Sequence, residues 1–169
     1  MTLALQSSKI YSLEEAEVFR NKNNLNRTFV ATNGCFDLLH PGHVSYLNDA
    51  RQRGDFLWIF LNTSRSVRQL KGPQRPIQSD EERAYMLSNL SCVSGITFFD
   101  TARLTREILT FRPDIYVKAS DYTLETLNAE ERTALKSVHA SIQFIPFLSG
   151  YSTTELIKKI QESQCVLQS

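Results

Sequence analysis

The stretch Thr32-Asn33-Gly34-Cys35-Phe36-Asp37-Leu38-Leu39-His40-Pro41-Gly42-His43 carries the densest chemistry in the chain. It follows a short apolar segment and leads into a helix-like one. Gly34 lets the backbone bend close to a ligand, and Gly42 leaves space where a helix begins. Amides at a helix start point outward with partial positive charge and suit an anion. His40 and His43 are three apart, so both imidazoles can face one point and donate hydrogen bonds to phosphate oxygens. Other readings of these residues exist. A histidine near a helix start is often structural or solvated. Two at this spacing could hold a metal with Cys35 or Asp37, but Pro41 interrupts a helical presentation, and no protein-held metal is expected. Cys35 reads as a small buried residue, because a nucleophilic thiol needs a paired base and surroundings that lower its pKa.

The elements that must position these residues alternate along the chain. Strand candidates are Thr28–Thr32, Phe56–Leu61, Gly95–Phe99, Asp114–Lys118 and Ser141–Pro146, each short and rich in aromatic or β-branched residues. Their unbroken apolar runs suit strands buried on both faces, as in a parallel sheet. Helix candidates are Ser12 towards Asn23, His43 to Arg53, a segment opened by Ser79-Asp80-Glu81-Glu82, Leu104 to Phe111, Leu124 to Val138, and a last helix opened by Ser152-Thr153-Thr154-Glu155. Ser12, Ser79 and Ser152 each stand three residues before a glutamate, the capping-box spacing. For Ser152, capping alone would account for the pattern. The order predicts a Rossmann-like, doubly wound α/β fold, a five-stranded parallel sheet with helices on both faces. Ligands of such sheets bind beyond the carboxyl ends of the strands, where the strand order reverses. The longest break, Asn62 to Ser79, is expected to be a loop. It holds Arg65, Arg68, Lys71 and Arg75 and no acidic residue, which suits either a phosphate-rich ligand or plain solvation.

Composition narrows the classes. The 169 residues suit one domain, and a chain this long buries roughly 70% of its unfolded surface without needing disulfides or metal. Nineteen Lys and Arg against eighteen Asp and Glu leave a net charge of +1, which argues against a large nucleic-acid footprint or a polybasic membrane face. The longest strongly apolar run, Phe56 to Leu61, is far short of the roughly 20 residues a spanning helix needs. With only Leu3, Ala4 and Leu5 before polar residues, the N-terminus is not expected to be a signal peptide. Cys35, Cys92 and Cys165 are odd in number and widely spaced, without the pairing of a disulfide framework or a zinc motif. A reduced, cytoplasmic domain is the expectation.

The histidine stretch resembles the HxGH signature of the nucleotidylyltransferase superfamily, in the form Gly-x-Phe-Asp-x-x-His-x-Gly-His of its cytidylyltransferase-like branch. Leu61-Asn62-Thr63-Ser64, Leu70 to Ile77, Val117 to Tyr122 and Gly150 to Thr154 follow in that family's order and approximate spacing. Together they resemble the adenylyltransferases of ADP-heptose synthesis over about residues 25 to 162. The resemblance implies a division into an N-terminal helical extension (1–24), a catalytic core (25–162) and a tail (163–169). It implies transfer of a nucleotidyl group from ATP to a sugar 1-phosphate of the heptose type, with Mg²⁺ bridging the nucleotide's phosphates and pyrophosphate released. His40 and His43 would contact the triphosphate, and Lys71 would reach over it from a mobile loop. Asn33, Gly34, Cys35, Phe36 and Asp37 would line the nucleotide. Lys118 and Asp121 would face nucleotide or acceptor, and Ser152, Thr153 and Thr154 would hold the outer phosphates. Arg75 and Arg83 are possible phosphate contacts. A homodimer is also implied. With no kinase domain ahead of it, the chain is expected to receive its sugar phosphate from a separate enzyme.

Three departures from the family pattern stand out. Thr63-Ser64 replaces a Ser-Asp pair, so a carboxylate is missing. Ala119-Ser120 replaces two glycines between Lys118 and Asp121. Phe147 stands near the place of an arginine in the glycerol-phosphate cytidylyltransferases. Two alternatives therefore stay open: a CTP-dependent cytidylyltransferase acting on a polyol or other small phosphate, and a nucleotide-binding protein that has lost the chemistry.

Overall fold

Among the described residues, five short strands alternate with helices and pair in parallel, in the order β3-β2-β1-β4-β5. They are β1 (Phe29–Gly34), β2 (Phe56–Asn62), β3 (Gly95–Phe99), β4 (Ile115–Ala119) and β5 (Ser141–Ile145). The helices are α1 (Leu13–Lys22), α2 (Pro41–Arg51), α3 (Ser64–Lys71), α4 (Asp80–Ser88), α5 (Thr105–Phe111), α6 (Ala129–Ser137) and α7 (Thr153–Val166). This is a computed structural model, and it describes residues 7–166. The expectations for Leu3 to Leu5 and for residues 167–169 of the tail lie outside the described residues. No described helix is long and apolar enough to cross a membrane.

Alternation along the strands divides the core in two. Val30, Leu57, Ile59, Leu61, Ile96 and Val117 face one side, where they pack with Tyr46 and Leu47 of α2 and Ala84 and Leu87 of α4. Phe29, Ala31, Trp58, Phe60 and Tyr116 face the other, against Leu13 and Ala16 of α1, Ile108 and Phe111 of α5 and Leu135 of α6. Both faces are buried, which is why these strands read as continuous apolar runs. At the β3 edge, Ile10 bridges to Ile96 and continues the sheet by one residue.

The strand order reverses between β1 and β4. Their ladder holds only Val30–Ile115 and Ala31–Tyr116, whereas β1 pairs with β2 from Phe29 through Gly34. The carboxyl ends of β1 and β4 thus part, and a crevice opens at the switch point.

Three helices depart from expectation. α2 begins at Pro41, not His43. Proline at the first helical position loses nothing, since that N–H has no helical partner, so Pro41 starts the helix instead of interrupting it. The expected loop between Asn62 and Ser79 contains α3. Its buried face is only Ser66 and Val67, and Arg65, Arg68 and Lys71 give the segment the composition of a solvated loop. It is held by side chains instead: Thr63 caps it through the Ser66 N–H, and the Ser64 N–H donates to Asp80 at 2.7 Å. Lys71 therefore ends a helix and does not ride a mobile loop. α6 begins at Ala129, five residues later than expected, because Asn128 Oδ1 accepts from the Glu130 and Glu131 N–H groups and fixes the start there.

Candidate active site

One cleft of about 670 Å³ lies over the carboxyl ends of the strands. The β1–α2 connection forms its floor. Asn33, Gly34, Cys35, Phe36, Asp37, His40 and His43 all line it. Gly34 has no room for a side chain, since a Cβ there would meet the Phe36 ring at 2.8 Å, and Phe36 itself takes a left-handed backbone (φ 42°). Burial pushes the Cys35 thiol pKa up, away from the thiolate form.

The two histidines form a stacked pair, ring centroids 3.7 Å apart. His40 is the N-cap of α2, its Nδ1 accepting the His43 N–H at 3.4 Å. Gly42 makes the stack possible: a Cβ there would sit 3.0 Å from the Phe147 ring and 3.1 Å from His40. Burial, then the neighbouring His40, lowers the His43 pKa to about 3, and burial lowers that of His40. Both rings are therefore neutral at neutral pH. His43 Nδ1 is buried against the Leu38 carbonyl without a well-formed hydrogen bond.

Lys71 and Arg75 line the cleft from the α3–α4 side, and Ser152, Thr153 and Thr154 from the start of α7. Ser152 Oγ caps α7 by accepting the Glu155 N–H at 3.0 Å. Lys118 and Asp121 enter from the end of β4. Lys118 is only 9% exposed. Its Nζ donates to Asn33 Oδ1 at 2.5 Å, which also accepts from the Tyr116 hydroxyl at 2.7 Å. These bonds bridge the parted ends of β1 and β4. Burial lowers the Lys118 pKa, and the carboxylates of Glu131 and Asp121 oppose that shift. Ala119 and Ser120, which replace two glycines of the family pattern, need no left-handed backbone here.

Two of the expected contacts have other duties. Asp37 is 1% exposed, and its carboxylate is already engaged. Oδ1 accepts from the Ile77 and Gln78 N–H groups, and Oδ2 pairs with Arg75. It anchors the α3–α4 connection and aims Arg75, instead of meeting a ligand through an open oxygen. Arg83 is fully buried and lies outside the cleft lining. It donates to the carbonyls of Cys35 and Asn62 and pairs with Asp80, so the expectation of a phosphate contact is corrected to that of a strut beneath the β1–α2 connection. Asp80 also answers the missing carboxylate at position 64. Its Oδ1 accepts from the Ser64 N–H and hydroxyl as well as from Arg83.

Sequence reasoning missed the far end of the cleft. Ala102 and Arg103 before α5, and Thr126, Asn128 and Glu131 around the start of α6, line it. Glu131 is 7% exposed, and its Oε1 accepts the Leu104 N–H at 2.9 Å. Beneath it, Glu107 of α5 is buried with Oε2 unpartnered, and burial raises its pKa. The signal was present as Asn128-Ala129-Glu130-Glu131, a helix start that the choice of Leu124 obscured. Among the described residues, no group of three or more His, Cys, Asp or Glu is arranged to hold a metal ion.

A parallel sheet opened at its switch point, with helix starts and cationic side chains around the crevice, defines a Rossmann-like α/β protein. Within that class, the chain belongs to the cytidylyltransferase-like family, whose model matches residues 31–159. It is similar to the bifunctional protein HldE of Syntrophotalea carbinolica, 44% identical over 144 residues, covering 85% of this chain and 29% of that protein. The HldE of Aliarcobacter butzleri is 38% identical over 159 residues, covering 94% and 32%. The chain thus spans less than a third of the length of either relative. Among solved structures, it resembles the lipopolysaccharide core biosynthesis protein of Thermoplasma volcanium, with a TM-score of 0.60, 23% identity, and coverage of 75% of this chain and all of that one. The pantoate-beta-alanine ligase of Francisella tularensis gives 0.58 at 13% identity, covering 92% of this chain and 78% of that one. At these identities the two structures share the fold alone.

Proposed function

We propose that residues 25–162 form a catalytic core that transfers the adenylyl group of ATP to a sugar 1-phosphate of the heptose type. The observation that carries this reading is the convergence of five separate, ordered segments on one cleft at the switch point. The relatives support it: a chain matching under a third of a protein named bifunctional fits a module that carries one of two activities.

The chemistry asks little of a base. The acceptor's phosphate oxygen is already an anion. It forms a bond to the α-phosphorus while the bond from that phosphorus to the bridging oxygen of the β-phosphate breaks, and pyrophosphate leaves with the electron pair. Catalysis is then positioning and charge neutralisation. His40 and His43, neutral at neutral pH, gain a reason to bind protons when a polyphosphate arrives, since its charge opposes the effect of burial. The pair then donates to phosphate oxygens. The amides of Gly34 to Phe36 line the α-phosphate, and Ser152, Thr153 and Thr154 take the outer phosphates at the start of α7. Lys71 and the Asp37-held Arg75 flank the chain of phosphates. Lys118, fixed on Asn33, stands where the attacking phosphate and the α-phosphate meet, with Asp121 beside it. A divalent cation such as Mg²⁺, when bound with the nucleotide, would supply further charge neutralisation, and no residue of the chain is assigned to hold it.

The test is pyrophosphate release with Mg²⁺, crossing ATP, CTP, GTP and UTP with heptose 1-phosphates, other sugar phosphates and glycerol 3-phosphate. Release with ATP and a heptose 1-phosphate is expected. Release with CTP and a polyol phosphate instead, or none with any pair despite nucleotide binding, would overturn the proposal.

A further inference from the structure

We infer that the α5–α6 end of the cleft is the acceptor's sugar site, and that Glu131 reads the sugar's hydroxyl groups there. This rests on the proposed adenylyl transfer. In-line displacement puts the attacking and leaving oxygens on opposite sides of the α-phosphorus. With pyrophosphate held by α2 and α7, the acceptor approaches from the opposite end of the cleft, where Glu131 lies.

Glu131 is built for a neutral, hydroxyl-bearing ligand. Its side chain is nine-tenths buried, and one oxygen is tied down by the Leu104 N–H. The other oxygen carries no hydrogen bond among the described residues, and the residue lines the cleft. That oxygen keeps access to the cleft, so it is open to donors that enter there. It repels phosphate, so the group it meets is the non-phosphate end of the acceptor, whose hydroxyls are donors. Glu131 also forgoes a local partner. It stands three residues after the N-cap, where a glutamate commonly bonds back to the cap N–H as Glu15 and Glu82 do. Here Asn128 closes the helix start alone, and the carboxylate is turned to Leu104 and the cleft. Lys118 stands on the phosphate side of this oxygen, so the two residues offer a cation for the acceptor's phosphate and an acceptor for its hydroxyls.

A purely structural Glu131 would only cap the backbone at Leu104. Glu131→Gln separates the two roles, since an amide oxygen still accepts the Leu104 N–H while the open oxygen is lost. The expected result is a KM for heptose 1-phosphate about 10- to 100-fold higher, with the KM for ATP and the thermal midpoint unchanged, on the scale of one hydrogen bond to a charged group. A second measurement does not depend on the variant folding. The wild-type chain should reject at least one monodeoxy analogue of the heptose 1-phosphate by a similar factor, and E131Q should lose that preference. An unchanged acceptor KM in folded E131Q, a rise in the KM for ATP instead, or equal use of all monodeoxy analogues by the wild type would overturn the assignment while leaving adenylyl transfer standing. A wild-type chain that uses no sugar 1-phosphate at all would overturn both.

Discussion

The two ends of the cleft both rest on helix starts, yet they are finished in opposite ways. At α7, Ser152 takes a single N–H, that of Glu155, and leaves the amides of Thr153 and Thr154 open. At α2, the cap is a histidine and the first residue a proline. At α6, Asn128 closes two amides at once, and a carboxylate stands beside them. The first end therefore offers donors and poised imidazoles, the second an acceptor. A helix start suits phosphate when its amides are left unspent and no carboxylate faces the cleft: Glu155 in the first turn of α7 is exposed and outside the cleft lining, whereas Glu131 of α6 lines it. Lys118 marks the boundary between the two.

If this division is right, damage at the α2 end should strike turnover and spare acceptor selection. His43→Ala should lower kcat by about 100- to 1,000-fold, the scale of one lost transition-state donor, with little change in the thermal midpoint. Steady-state kinetics with both substrates varied checks it. A loss confined to the acceptor KM would break the comparison. Gly42→Ala should cost less, about 10-fold in kcat. The added methyl meets Phe147 and His40 at 3.0 and 3.1 Å, so the imidazole must tilt from the stack while alanine's helix propensity offsets part of the strain. Unchanged kcat would mean that the stacked geometry is not the working one.

The division was only half legible in the sequence. The sheet was readable because each strand is a dense apolar run buried on both faces. The α2 end was readable because its residues are adjacent in the chain, from Asn33 to His43. The α6 end joins Arg103, Asn128 and Glu131 only through the packing of α5 on α6, and no spacing records that. α3 was lost for a different reason. Its eight residues do divide into a polar and an apolar side, but with three cations and Val67 as the one buried apolar residue the segment read as a solvated loop, and polar contacts with Asp80 and Asp100 hold it. Arg83 misled because a basic residue near a basic loop looks like a ligand contact, whereas full burial and two carbonyl partners make it a strut.

The smallest expected effect sets the two ends against each other in stability. Burial drives His43 and Glu107 alike towards their neutral forms, but these lie on opposite sides of the pH scale. His43 titrates near 6.5 when unfolded and near 3 in the folded chain. Between those values the unfolded chain binds a proton that the folded chain refuses, so this residue lowers stability as pH falls below about 6.5. Glu107 has its folded pKa raised above the ordinary 4.5 by burial. Above that value the unfolded chain releases a proton that the folded chain keeps, so this residue lowers stability as pH rises. His43→Gln should therefore flatten the acid limb of the stability profile. Glu107→Gln should flatten the other limb and lift the neutral-pH midpoint by about 2–4 °C, on the scale of ~1 kcal/mol for one unpartnered buried group. Thermal unfolding of the three chains from pH 5 to 8 would show it. A Glu107→Gln profile that runs parallel to the wild type from pH 5 to 8 would mean that the buried carboxyl holds its proton no more tightly in the folded chain than in the unfolded one.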